Sequence, residues 1–158
     1  MGRVTDLKHV TYCGLYCGLC LNGGRIPRRA AELRDLLQKV KIELWGPDLP
    51  GYEGFRTFLD SLAEFAPRAS CRERSCGLEN CAIRTCAEER RVVACPFCAD
   101  YPCERIRTLS KRYPSLLCDG ERLREIGADA WVAEQEARKA CGFAYVDIRY
   151  EPDGAPHA

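Results

Sequence analysis

Twelve cysteines in a chain of 158 residues constrain what this sequence can fold into more than any other feature. In a secreted chain such a number would suggest six disulfides. The segment from Met1 to Tyr12 carries no apolar signal core, so the expected setting is the cytoplasm, where thiols stay reduced. Twelve reduced thiols then call for another explanation, and the one that fits their spacing is metal.

The spacing has two blocks. Cys13, Cys17 and Cys20 form a Cys-x3-Cys-x2-Cys run, interleaved and followed by Gly18, Gly23 and Gly24. Seven more lie at Cys71, Cys76, Cys81, Cys86, Cys95, Cys98 and Cys103. A two-residue gap lets two thiolates reach one ion from a tight turn, with backbone amides pointing at the sulfurs. About fifty residues separate the blocks. An ion ligated from both would close the intervening segment as a loop and stabilise a small domain. All ten are candidate ligands, and ten cysteines fill two four-ligand sites with two left over, so about two zinc ions are expected. Cys118 and Cys141 stand apart at helix boundaries and read more simply as packed thiols. His9 could complete a three-cysteine site, but a half-exposed side chain is its plainer reading.

Zinc and iron–sulfur both remain open, because tetrahedral sulfur sites serve either. The front spacing also matches the triad that holds a four-iron cluster in radical-SAM enzymes. Those enzymes need a succession of βα units that this chain lacks. Two histidines give little material for acid–base catalysis, and no phosphate loop or nucleophile motif is present, so the pattern points away from an enzyme. The alternative to a zinc-stabilised binding or adaptor module is an iron–sulfur protein acting in electron transfer or as a small redox enzyme.

The formal net charge is +1, and two four-thiolate zinc sites would bring it to about −3. A general electrostatic grip on nucleic acid is therefore not expected, and the implied partner is another protein. Arginine outnumbers lysine 19 to 5. The set Arg84, Arg90, Arg91, Arg105, Arg107, Lys111 and Arg112 could make a phosphate-binding face, although Glu88, Glu89 and Glu104 interleave it. No apolar run approaches the roughly 20 residues needed to span a bilayer, so no membrane is implied.

The fold class expected is mainly α, as one domain over 1–158: a metal knuckle at 11–26, a helical insert at 27–67, an irregular cysteine-rich lobe at 71–103, helices and a strand at 104–150, and a loose tail at 151–158. Leu33, Leu36, Leu37, Val40 and Leu44 recur at helical spacing within 28–45, entered at Pro27. Phe55, Phe58, Leu59, Leu62 and Phe65 mark a second helix at 52–66. Shorter helices are predicted at 81–90, 103–112, 119–126 and 130–141, with Gly127 and Gly142 as breaks. Residues 143–150 alternate as a strand does, and His9 to Tyr12 offer the only partner for a short two-stranded sheet.

Three segments together, Cys13-Gly-Leu-Tyr-Cys-Gly-Leu-Cys20, Cys81-Ala-Ile-Arg-Thr-Cys-Ala-Glu88 and Cys95-Pro-Phe-Cys-Ala-Asp-Tyr-Pro-Cys-Glu-Arg105, resemble an uncharacterised cysteine-rich family of bacteria and archaea, domain of unknown function 3795. The resemblance runs from about Thr11 to Arg105. It implies a zinc-binding module and supplies no reaction or substrate. Many members carry Cys-x-Gly-Cys where this chain has Cys71-x4-Cys76.

Overall fold

The computed structural model describes residues 7–65, 71–73 and 80–148. The architecture is mainly helical: α1 (Ile26–Lys39), α2 (Ile42–Trp45), α3 (Tyr52–Ala63), α4 (Ala82–Glu89), α5 (Glu104–Ser110) and α6 (Leu116–Ala140), with short 3-10 turns and a π turn at Leu21–Arg25. Among the described residues no helix is long and apolar enough to cross a membrane.

The breakers act where their chemistry dictates. Pro27 lies in the first turn of α1, where its missing N–H costs nothing. The single helix expected over 28–45 is in fact two. Lys41 takes a left-handed conformation with φ 52°, ends α1, and lets α2 restart at Ile42. Gly127, at φ 76° and ψ 170°, interrupts α6 and turns it into two helical segments, as expected. The second segment closes on Gly142, at φ 90°. There the Phe143 amide donates to Arg138 O at 3.1 Å and the Gly142 amide to Lys139 O at 2.9 Å. This is a Schellman closure that satisfies two terminal carbonyls.

The expected two-stranded sheet does not form. Tyr145–Asp147 is a 3-10 turn, and Val10 pairs instead with Tyr16 in an isolated antiparallel bridge. Arg149 and Tyr150 lie outside the described residues. Asp147 explains the turn. Its carboxylate accepts the Ala144 amide at 2.9 Å and a guanidinium N–H of Arg25 at 2.5 Å, which curls the chain back on itself. Alternation along 143–148 is thus spent on a turn that aims Tyr145 inward.

The core forms where the front of the chain meets α6. Val10, Tyr16, Leu19, Leu123, Trp131 and Tyr145 are buried together. Tyr16 and Trp131 meet edge to face at 6.0 Å, and the Tyr16 amide donates to Tyr145 Oη at 2.9 Å. The Tyr16 hydroxyl donates to a Glu136 carboxylate oxygen. Full burial of Leu19, Leu123 and Trp131 contributes roughly 1.5–3 kcal/mol each. Trp131 is therefore core, whereas Trp45 is half-exposed and donates its indole N–H to Val40 O. The cysteine-rich segment also docks on α6, through Tyr101 over Gly120, one turn before Leu123.

Candidate metal centre

The front cysteines begin on a tight loop closed by the Val10–Tyr16 bridge. Thr11 holds it: its amide donates to Leu15 O at 2.9 Å, and its Oγ1 accepts the Leu15 amide at 2.9 Å. Thr11 Oγ1 also lies 3.0 Å from Cys13 Sγ, which is thereby fixed inside the loop. Burial pushes the Cys13 thiol up to about 11; the Thr11 contact opposes this, and Cys71 and Cys81 add to it. Cys71 reaches the loop directly, its Sγ accepting the Tyr12 amide at 3.3 Å across fifty-nine positions. The neighbouring Arg72 secures that approach, with its guanidinium 4.6 Å above the Tyr12 ring and Nε donating to Val10 O at 2.7 Å.

The lobe supplies a second set. Cys81 is the N-cap of α4 and Cys86 lies within it. Five steps along an α-helix rotate by roughly 500°, so the two sulfurs leave the helix about 140° apart. They serve different neighbours accordingly: Cys81 acts on Cys13, and Cys86 faces Cys95. Cys86, Cys95, Cys98 and Cys103 line one cavity of about 240 Å³, walled by Ala87, Val92, Tyr101 and Ile106. The turn Cys95–Phe97 brings two of these together, the Cys98 amide donating to Cys95 O at 2.9 Å. Cys103 enters as the N-cap of α5.

Cys95 joins the two sets. Burial pushes its thiol up to about 12, with Cys13, Cys103, Cys86 and Cys98 adding in that order. The Cys95 amide also donates to Tyr12 O at 2.7 Å, so the front loop and the lobe are stitched by a backbone hydrogen bond. Two cations face the cavity, Arg90 and Arg105. Arg90 donates to Cys98 Sγ at 3.7 Å and pairs with Asp100.

The remaining candidates are placed otherwise. Cys17 starts the turn Cys17–Leu19 and is half-buried, while Cys20 is exposed at its end. Cys76 lies outside the described residues. Cys118 and Cys141 are exposed on α6 and its C-cap rather than packed in the core. His9 is exposed, edge-on to Tyr16 at 6.3 Å. Among the described residues no three His, Cys, Asp or Glu side chains stand close enough to hold an ion as they are placed, the front triad included. The structure thus gathers donors into two neighbourhoods without closing a coordination shell. The basic set is dispersed as well: Arg84 is buried and Arg90 is paired with Asp100.

Sequence reasoning treated Arg90 as part of a surface patch. It lies four residues after Cys86, one helical turn along the same face, and that spacing could have shown its place beside the thiols. Tyr101 over Gly120 left no comparable signal.

No curated protein and no solved structure matches the chain. A family described as a protein of unknown function, DUF3795, matches residues 9–108, which take in the front loop, α1 to α4, the cysteine-rich lobe and most of α5. The chain belongs to the DUF3795 family of proteins of unknown function.

Proposed function

We propose that this chain is a zinc-stabilised binding module in which one set of ligands is Cys86, Cys95, Cys98 and Cys103, and a second is drawn from Cys13, Cys71, Cys81 and Cys76. The observation that carries the reading is the shared cavity, lined by four soft donors from α4, a tight turn and the cap of α5. Such a donor set suits zinc or an iron–sulfur centre and suits hard cations poorly. The apolar walls make a bare thiolate costly, as the raised Cys95 shows, so a cation is what would stabilise the deprotonated form. A four-thiolate zinc site carries a net charge of −2, and Arg90 and Arg105 are placed to offset it. Bound zinc would supply cross-linking and no redox chemistry. Cys17 and Cys20 become the two surplus thiols of the ten.

One rival uses the same donors, since tetrahedral sulfur sites serve zinc and iron–sulfur alike. An iron–sulfur cluster held by the same four cysteines would make the protein an electron carrier, with the Arg90 N–H to Cys98 among the contacts that set its potential. Purification without air decides between them. A colourless protein holding about two zinc ions supports the binding module. Stoichiometric iron with acid-labile sulfide, and a brown colour that bleaches on reduction, replaces it with the redox reading.

A further inference from the structure

The helical insert keeps an apolar face uncovered. α1 and α3 pack mainly on each other, on the turn Leu21–Arg25 that feeds α1, and on α2 and the turn Gly46–Asp48 between them. The helices run antiparallel, since the cavity between them brings Leu37 and Ile42 to Tyr52 and Phe55, and Arg34 to Asp60. Ala30 and Leu37 on α1, and Tyr52 and Leu59 on α3, face inward. At about 100° per residue, Leu33, Leu36 and Val40 fall within roughly 60° on one side of that line, and Arg34 falls on the other. The same holds on α3, where Phe58 is on one side and Asp60 on the other. Arg34 lies 3.9 Å from Asp60 and 3.8 Å from Glu64, so those sides coincide. Both apolar stripes consequently lie on the opposite, common face of the hairpin. Their exposure is 41% at Leu33, 58% at Leu36, 57% at Val40, 48% at Phe55, 62% at Phe58 and 50% at Phe65.

We propose that this face is a self-association surface on which a second copy of the chain packs its own α1–α3 face about a two-fold axis. Two observations select a copy of the chain as occupant. With about 200 Å² for a large apolar side chain, six half-exposed residues present on the order of 600 Å². That reaches the top of what one monomer leaves uncovered and approaches the ~800 Å² per partner of a standard interface. The second is charge. The charges at its rim cancel: Arg29 pairs with Glu32 at 2.6 Å. A neutral, uniformly apolar face complements itself, and in an isologous contact every residue is used twice. Two antiparallel hairpins joined this way make a four-helix bundle.

The test is sedimentation equilibrium of the full chain, as purified with its metal. Wild-type protein is expected to dimerise in roughly the micromolar range or below. Phe58→Glu, on a side chain already 62% exposed, should weaken the dimer by at least ~30-fold while keeping helicity and metal content. Leu36→Glu should do the same, and Val93→Glu, an exposed apolar site on the lobe, should leave the dimer unchanged. A wild-type monomer at ~100 µM, whether or not it captures some other protein or a lipid vesicle, overturns the proposal. So does a dimer indifferent to both Phe58→Glu and Leu36→Glu.

Discussion

Gly120 shows how much one atom can decide in this molecule. A Cβ there would lie 2.0 Å from Tyr101 Oη and 2.8 Å from Cζ, with Pro96 Cγ at 3.3 Å. The phenol ring is rigid and backed by the cysteine turn, so it cannot step aside cheaply. Gly120→Ala is expected to lower stability by about 1–3 kcal/mol, read as a drop in thermal midpoint. Arg91 offers the reverse case. It holds a left-handed conformation at φ 54°, where it closes α4 as the Val92 amide donates to Ala87 O at 3.0 Å. Glycine meets no Cβ strain there, so Arg91→Gly should be neutral or raise stability by up to about 1 kcal/mol in urea denaturation. Asp147 carries a pH signature. Its hydrogen bond with Arg25, helped by the Ala144 amide, holds its carboxyl below the usual range. A depressed carboxyl contributes stability above its unfolded value, and that contribution is lost as pH falls through the folded one. The pair is partly exposed, so screening limits it to about 1 kcal/mol. Asp147→Asn should lower the urea midpoint at pH 7 and converge on wild type only as pH falls below the usual carboxylate range.

The elements show why some of the fold was legible in the sequence and some was not. Helices α1 and α3 to α6 were readable because apolar residues recur at helical spacing and proline or glycine marks their ends. Gly127 was readable for the same reason, and Gly127→Ala, forced to φ 76° and ψ 170°, should cost about 1–3 kcal/mol. Periodicity reports that one face of a helix is apolar and is silent on what covers it. Leu36 and Phe58 lie on the apolar faces that this spacing marks, and both are exposed. The strand at 143–150 failed because alternation also suits a turn that sends every second side chain inward. The grouping of cysteines was hidden differently. Cys71-x4-Cys76-x4-Cys81-x4-Cys86 looks uniform on paper, yet α4 begins at Ala82, and the helix is what sends Cys81 and Cys86 apart. A metal analysis of single variants checks the resulting sets. Cys86→Ser and Cys103→Ser should each lose one ion, and Cys118→Ser and Cys141→Ser, exposed on α6, should lose none. Equal loss in both groups would refute the assignment.

For the molecule as a whole, the cysteines and the α6 core act on the same front loop from two sides. A structural thiolate site contributes roughly 10 kcal/mol or more, comparable with the entire stability of an ordinary domain. Stripping the metal under reducing conditions should therefore abolish the helicity of α4 and α5, followed by circular dichroism; an unchanged melt would sink the structural-metal reading. The backbone hydrogen bond between Tyr12 and Cys95 has a further consequence, in time rather than in space. A ribosome delivers Cys13 about eighty residues before Cys95. The set from Cys86 to Cys103 spans only eighteen residues, so an ion held there would close its ring with little loss of chain entropy. The set containing Cys13 reaches across the whole helical hairpin to Cys71 and Cys81, and all three have been synthesised before Cys103 emerges. Were both sets to bind metal, the order of synthesis and the length of the ring would pull in opposite directions: the set holding the front loop is complete first, and the lobe set, complete only at Cys103, closes the shorter ring.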